Sequence, residues 1–269
     1  MERMAAPLQH QDRARETAGL DYPIVQHTLD NGLRVVVSPD RSSPSVAVNL
    51  WYGVGSRHEE PGRTGFAHLF EHVMFQGSAQ VPSGQHIALL QAAGASVNAT
   101  TWFDRTNYFE TLPSGGLDLA LWLEADRMGS LLDALSADSL DNQREVVKEE
   151  KRQRYDNVPY GDVAQWLTEL TFPADHPYGH TVIGSMADLD AATLLDVQTF
   201  FRAHYLPNNA VLSIVGDVPV AEALERAVRY FGLLTPGPCA AQPDTAPLPP
   251  LTGTERAETA ADVPPPRST

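Results

Sequence analysis

Apolar and polar residues recur along this chain with two different periods, and the period separates strands from helices. Residues 23–40, PIVQHTLDNGLRVVVSPD, hold two short runs around Asp30-Asn31-Gly32, and Asn-Gly predicts a tight hairpin turn. In SVAVNLWYGVGS, Val46, Val48 and Leu50 alternate with Ser45, Ala47, Asn49 and Trp51 until Gly53 and Gly55 break the run. ASVNATTWFD and RTNYFETLP read as a strand pair rich in Thr, aromatic and β-branched residues, and NAVLSIVGD as a buried strand. Helical spacing covers Thr64–Phe75, Gly84–Ala93 with Ser83 as N-cap and Gly94 as stop, Leu117–Leu132 and Ala137–Tyr155. Three more helices are predicted in YGDVAQWLTELTF, in LLDVQTFFRAHY, and in PVAEALERAVRYFG, which Pro219 opens.

The elements mix without a regular strand–helix–strand rhythm, and several strands are hairpin neighbours. That predicts an α+β fold, a largely antiparallel sheet with helices packed on one face. The pattern places one domain over residues 23–232, after a loose leader at 1–22. Nine of the 21 prolines lie between Pro236 and Pro266, so 233–269 reads as a Pro-rich linker or disordered tail. No repeat at solenoid spacing is visible.

Composition narrows the function classes. The 269 residues carry a net charge of −15, which argues against a nucleic-acid partner because phosphate binding needs clustered Lys and Arg. The charge either favours basic peptides or only keeps the protein soluble. One cysteine, Cys239, leaves no intrachain disulfide to form. No stretch approaches the roughly 18 apolar residues of a membrane span, and the polar N-terminus lacks the apolar run of a signal peptide. These features predict a cytoplasmic protein that does not engage a membrane.

Residues 68–72, HLFEH, interrupt this ordinary picture. On a helix, His68, Glu71 and His72 share one face, while Phe66, Leu69, Phe70 and Val73 surround them with apolar surface. Unpaired charges there are expensive, and metal coordination removes the expense. Two imidazoles one turn apart can hold one Zn²⁺ at about 2.0–2.1 Å. Glu71, just before the second histidine, can sit beside the metal and take a proton from an activated water. Those are the parts of a peptide hydrolase; a solvated polar face is the alternative.

The order H-x-x-E-H is the inverzincin signature, and the chain resembles the pitrilysin–insulinase–processing-peptidase family of zinc metallopeptidases. The resemblance covers about residues 23–232 and includes NGLRVVV, GSRHEEPGRTGFAHLFEHVMFQGS and LPNNAVLSIVGD. It implies one zinc per chain, held by His68, His72 and a glutamate 76 residues further on, which is Glu149. It implies Glu71 as general base. Glu150, adjacent to the implied ligand, should face elsewhere. Glu145, one turn before Glu149, either orients a ligand from outside or is an ordinary surface glutamate. Many relatives carry a Glu seven positions before the third ligand; here that position is Asn142, which could only hydrogen-bond.

The resemblance further implies that GASVNATTWFDRTNYFETLP contains a strand that adds an extended peptide by main-chain hydrogen bonds. Asn98, Ala99 and Thr100 are the candidates, or else plain strand residues. His58 and His86 read as surface histidines, HPYGH (176–180) as a loop because Pro177 and Gly179 disrupt helix, and the four tryptophans as packing. Family members pair two related halves, and this chain has room for one. The expected function is therefore a zinc endopeptidase acting on unfolded peptides. A second half, from a homodimer or a hetero-partner, completes it. The alternative is a non-catalytic subunit or peptide-binding scaffold.

Overall fold

A computed structural model of the chain describes residues 22–238 and isolated residues between 243 and 258. The leader, most of the Pro-rich tail and Cys239 lie outside the described residues. Six strands form one sheet: β1 (Val25–Thr28), β2 (Arg34–Pro39), β3 (Ser45–Tyr52), β4 (Ser96–Thr101), β5 (Thr106–Pro113) and β6 (Ala210–Gly216). The order is β1-β2-β6-β3-β5-β4; only β2 and β6 run parallel, so the sheet is largely antiparallel as expected. Register puts the apolar alternation of each strand on one face. Val37 pairs with Ile214, Ile214 with Val48, and Leu50 with both Leu212 and Tyr108, all fully buried. The opposite face keeps Trp51, Thr111 and Val215 exposed.

Eight helices are described: α1 (Phe66–Val73), α2 (Gln85–Ala92), α3 (Leu117–Ala134), α4 (Ala137–Lys151), α5 (Val163–Thr171), α6 (Met186–Ala191), α7 (Leu194–His204) and α8 (Val220–Phe231). α3 and α8 cover the apolar face of the sheet, while α1 and α2 lie against β4. Among the described residues, no helix is long and apolar enough to cross a membrane.

Three local expectations change. The short α6 carries too few apolar residues to show a period. Gly84, in the left-handed region at φ +77°, takes the N-cap of α2 in place of Ser83. The expected helix over 137–155 closes α-helical bonding at Lys151, and Arg152–Asp156 continue as a wider π-helical turn capped by Asn157 N–H to Arg152 O at 2.8 Å. Beyond α8, the start of the expected linker is tied to the body. Asn31 donates to Leu234 O at 3.0 Å, and Asn208 donates to Gly237 O at 2.8 Å.

Polar groups interrupt the core under α1. His86 is buried, not on the surface as expected, because α2 turns His86 and Leu90, one helical turn apart, inward together. It sits 3.8 Å from Glu124, which pairs through both oxygens with Arg127. The Arg127 guanidinium lies over the Tyr108 ring at 4.1 Å and the Phe75 ring at 5.1 Å. Burial raises Glu124, but Arg127 and His86 together outweigh it and hold the carboxylate below its ordinary value. Glu110, opposite Val48 on the buried face, has no hydrogen-bond partner for either oxygen, and burial with the nearby Glu124 charge raises its pKa well above the ordinary value.

A raised folded-state pKa has a definite sign. Below the ordinary carboxylate pKa, Glu110 is protonated whether the chain is folded or not, and it costs nothing by ionisation. As pH climbs, the unfolded chain ionises freely while the folded chain keeps the proton, so stability falls by at most about 1.4 kcal/mol per pH unit. Urea midpoints measured from pH 7 to pH 8, above the range where the buried histidines add an opposite slope, should therefore decline in the wild type and decline less in Glu110→Gln. Parallel declines would show that Glu110 ionises as easily folded as unfolded.

Candidate metal centre

Helix α1 starts without a capping side chain of its own. Its N-cap is Gly65 at φ +91°. Glu59 supplies the cap from the preceding turn, its two oxygens accepting the N–H groups of Gly65 at 2.9 Å and Ala67 at 2.7 Å. Burial pushes the Glu59 carboxyl up to about 8, against the pull of those two bonds. Asp188, on α6, accepts both the N–H and the hydroxyl of Thr64, at 2.9 and 2.6 Å. The first turn is thereby fixed from two sides. Phe66, Ala67, Leu69, Phe70 and Val73 then face the core, and His68, Glu71 and His72 share the other face as the spacing predicts.

That face meets α4. Glu150 Oε2 lies 3.6 Å from His68 Nε2 and 3.3 Å from His72 Nε2. Arg154 holds the other Glu150 oxygen at 2.7 Å. Among the described residues, His68, His72 and Glu150 are the one group of three or more potential ligands whose atoms all lie within 4.8 Å of one another. Glu149 points away: it is exposed and bonds Arg152 at 3.2 Å and Gln153 at 3.0 Å. The expectation of Glu149 as third member, with Glu150 turned aside, is corrected to the reverse. The reason is the face of α4, where Leu140, Gln143 and Val147 are its buried residues and Glu150 continues their three–four–three spacing.

The correction carries the neighbours with it. Glu145 is exposed and bonds Lys148 at 3.0 Å, and Asn142 is exposed too; both belong to the Glu149 side of the helix. The position seven before Glu150 is the buried Gln143. Glu71 receives a bond that sequence gave no sign of: Thr101, at the end of β4, donates its hydroxyl to Glu71 Oε2 at 2.5 Å. Burial raises the Glu71 carboxyl and the Thr101 bond opposes the rise. Burial and the neighbouring His72 push His68 down to about 4, so its imidazole is neutral at pH 7. The adjacent His72 holds Glu150 below the usual carboxylate range.

Asn98, Ala99 and Thr100 lie on β4, an edge of the sheet. The Ala99 N–H donates to Asn98 Oδ1 at 2.9 Å, and Arg105 donates to Thr100 O at 2.9 Å. His176–His180 form a loop, as expected, and neither histidine joins the cluster at α1. His58 is half-buried, accepting the Gly55 N–H at 3.1 Å and packing its ring on His204 at 5.5 Å, so it is no free surface histidine.

The cluster fits a zinc ion. Ligand atoms with bonds of about 2.0–2.2 Å in tetrahedral array stand about 3.3–3.5 Å apart, close to the two separations from Glu150. The His68 Nδ1 atom is buried without a hydrogen-bond partner. A proton placed there leaves a bare Nε2 lone pair facing a carboxylate oxygen, an arrangement that a cation between them stabilises.

Comparison with known proteins bears on the family and the fold. The sequence profile of Insulinase (Peptidase family M16) matches residues 34–182, and that of the Peptidase M16 inactive domain matches residues 191–266. The zinc protease PqqE of Helicobacter pylori is 37% identical over 205 residues, covering 76% of this chain and 46% of that protein. A protease structure from Helicobacter pylori superposes with a TM-score of 0.79 at 35% identity, covering 84% of this chain and 54% of that one. The first half of the periplasmic protease PqqL from Escherichia coli gives 0.75 at 25% identity, covering 83% and 48%. The chain spans about half the length of the curated relatives it matches.

The choice between neighbouring glutamates is directly measurable. Zinc affinity, read by competition with a chromogenic chelator, should fall by more than about 100-fold in Glu150→Gln and stay unchanged in Glu149→Gln. The opposite ranking would return the third position to Glu149.

Proposed function

This chain belongs to the insulinase family of peptidases (M16), and on that premise we propose that it is the metal-bearing half of a zinc endopeptidase that cuts extended, unfolded peptide segments. The observation that carries the reading is the meeting of His68, His72 and Glu150 with Glu71 beside them. One zinc per chain would be held by the three ligands, where it supplies a Lewis acid that polarises the scissile carbonyl and acidifies the attacking water.

Glu71 does the proton work. It accepts a proton from the water as the water oxygen bonds to the carbonyl carbon. It then returns a proton to the amide nitrogen as the C–N bond breaks. Its partial burial brings its basicity nearer to neutral pH, and the Thr101 hydroxyl fixes which oxygen is left free. The β4 edge aligns the peptide by strand addition, with Asn98, Ala99 and Thr100 as its contacts, and Thr101 then brings the end of that strand to the base. A second half, in a longer polypeptide, a second copy or a different subunit, covers the site.

The match of residues 191–266 to the inactive-domain profile favours a second reading, a subunit that binds peptide without cutting it. The two readings part on one substitution. Glu71→Gln should keep zinc while cleavage of unstructured peptides drops by about 10²–10⁴-fold, tested with the chain alone and joined to its second half. Cleavage that survives the substitution sinks the assigned base, and a wild type that binds peptide but never cuts it supports the scaffold.

A further inference from the structure

The HPYGH loop has no place in the metal centre, yet it touches the turn before α1 and the tip of the β4–β5 hairpin. The β4–β5 hairpin turns over at Trp102–Arg105, closed by Trp102 N–H to Arg105 O at 2.8 Å. That tip docks on the turn preceding α1. Ser56 N–H donates to Trp102 O at 3.1 Å and Arg57 N–H to Phe103 O at 3.0 Å. Gly55 permits the approach, since a Cβ there would stand 2.1 Å from Trp102 O.

Side chains from three segments then converge on one carboxylate. Asp104, in the tip, receives Arg57 Nη1 at 2.8 Å and the Tyr178 hydroxyl at 2.7 Å, and Arg57 also donates to that hydroxyl at 3.2 Å. The Tyr178 ring meets Phe103 edge-on at 5.5 Å. His176 Nδ1 accepts the Tyr178 N–H at 3.1 Å, and Gly179 fits where a Cβ would lie 2.4 Å from Pro173 O, so the loop has a defined shape. At its far end His180 Nδ1 stands 3.6 Å from Glu59, the cap of α1.

We propose that the His176–His180 loop is a strap holding the hairpin tip against the start of α1, with Tyr178 and Asp104 as positioning residues that act on Glu71 through Thr101. Thr101 immediately precedes the tip and bonds Glu71, so a displaced tip displaces that bond. Asp104 is 52% exposed, and ion pairs of such exposed groups add little stability. The knot therefore sets geometry more than it sets stability. The catalytic part of this inference rests on the peptidase reading; the strap itself does not.

Two measurements test it separately. Hydrogen exchange needs no activity: Tyr178→Phe, which keeps the ring contacts, and Asp104→Asn should each speed exchange of Thr101–Thr106 by about tenfold or more with Tm unchanged. Faster exchange confined to residues 172–181 would overturn the strap. On an extended peptide cut by the zinc-loaded protein joined to its second half, Tyr178→Phe should lower kcat by about tenfold with KM changed by less than about twofold. Thr101→Val should do the same, and adding Tyr178→Phe to it should cost nothing further. Multiplying losses would overturn the route through Thr101. A wild type that never cleaves, with exchange behaving as expected, would remove the peptidase reading and leave the strap standing.

Discussion

Helix α1 must bury one face and keep three titratable groups poised on the other, and the rest of the site follows from that constraint. Phe66, Leu69, Phe70 and Val73 anchor it, each worth about 1.5–3 kcal/mol when fully buried. Such anchoring fixes which way the helix faces. It fixes less well where the helix starts, because apolar contacts are not directional. The directional work falls to Glu59 and Asp188, which bind Gly65, Ala67 and Thr64. With direction and start both set, His68, Glu71 and His72 can project only toward α4 and the end of β4.

The same logic explains the polar groups under the helix. Glu124 and Arg127 form a charge pair that is fully buried, and Arg127 touches the ring of Phe75 just past the end of α1. A buried ion pair contributes little net stability once desolvation is counted, but its geometry is narrow. Here it fixes a guanidinium against the Phe75 ring. Glu110, also buried but unpaired, has no such geometric return in this structure.

Much of this was legible in the sequence. The alternation in β3 and the 3.6-residue period of α3, α7 and α8 gave the architecture, and H-x-x-E-H gave the face of α1. The third member of the cluster was misread by one residue, and the cause is instructive. Counting from His72 to Glu149 treats the chain as a ruler, whereas the helix face decides which carboxylate turns inward. Leu140 and Val147 were there to show that face, and a step of three from Val147 reaches Glu150. His86 was misread for a related reason: a short helix with polar residues all round hides its inward side until Leu90, one turn on, is seen buried. Thr101 and the Tyr178–Asp104–Arg57 knot could not be read at all, since they join segments 30 to 121 residues apart.

Edge strands expose unpaired main-chain groups that invite pairing with any passing strand. β4 is such an edge, and the proposed capture of extended peptides would need it open. The structure meets both demands with small polar side chains instead of a covering element. Asn98 turns its own amide oxygen onto the Ala99 N–H, and Thr101 spends its hydroxyl on Glu71. The first bond is local, so an incoming main chain can exchange with it without unfolding anything. On the proposed reading, an edge satisfied in this way resists casual pairing yet would yield to a peptide. The bond it keeps, from Thr101 to Glu71, ties the end of the strand to the group proposed as the base.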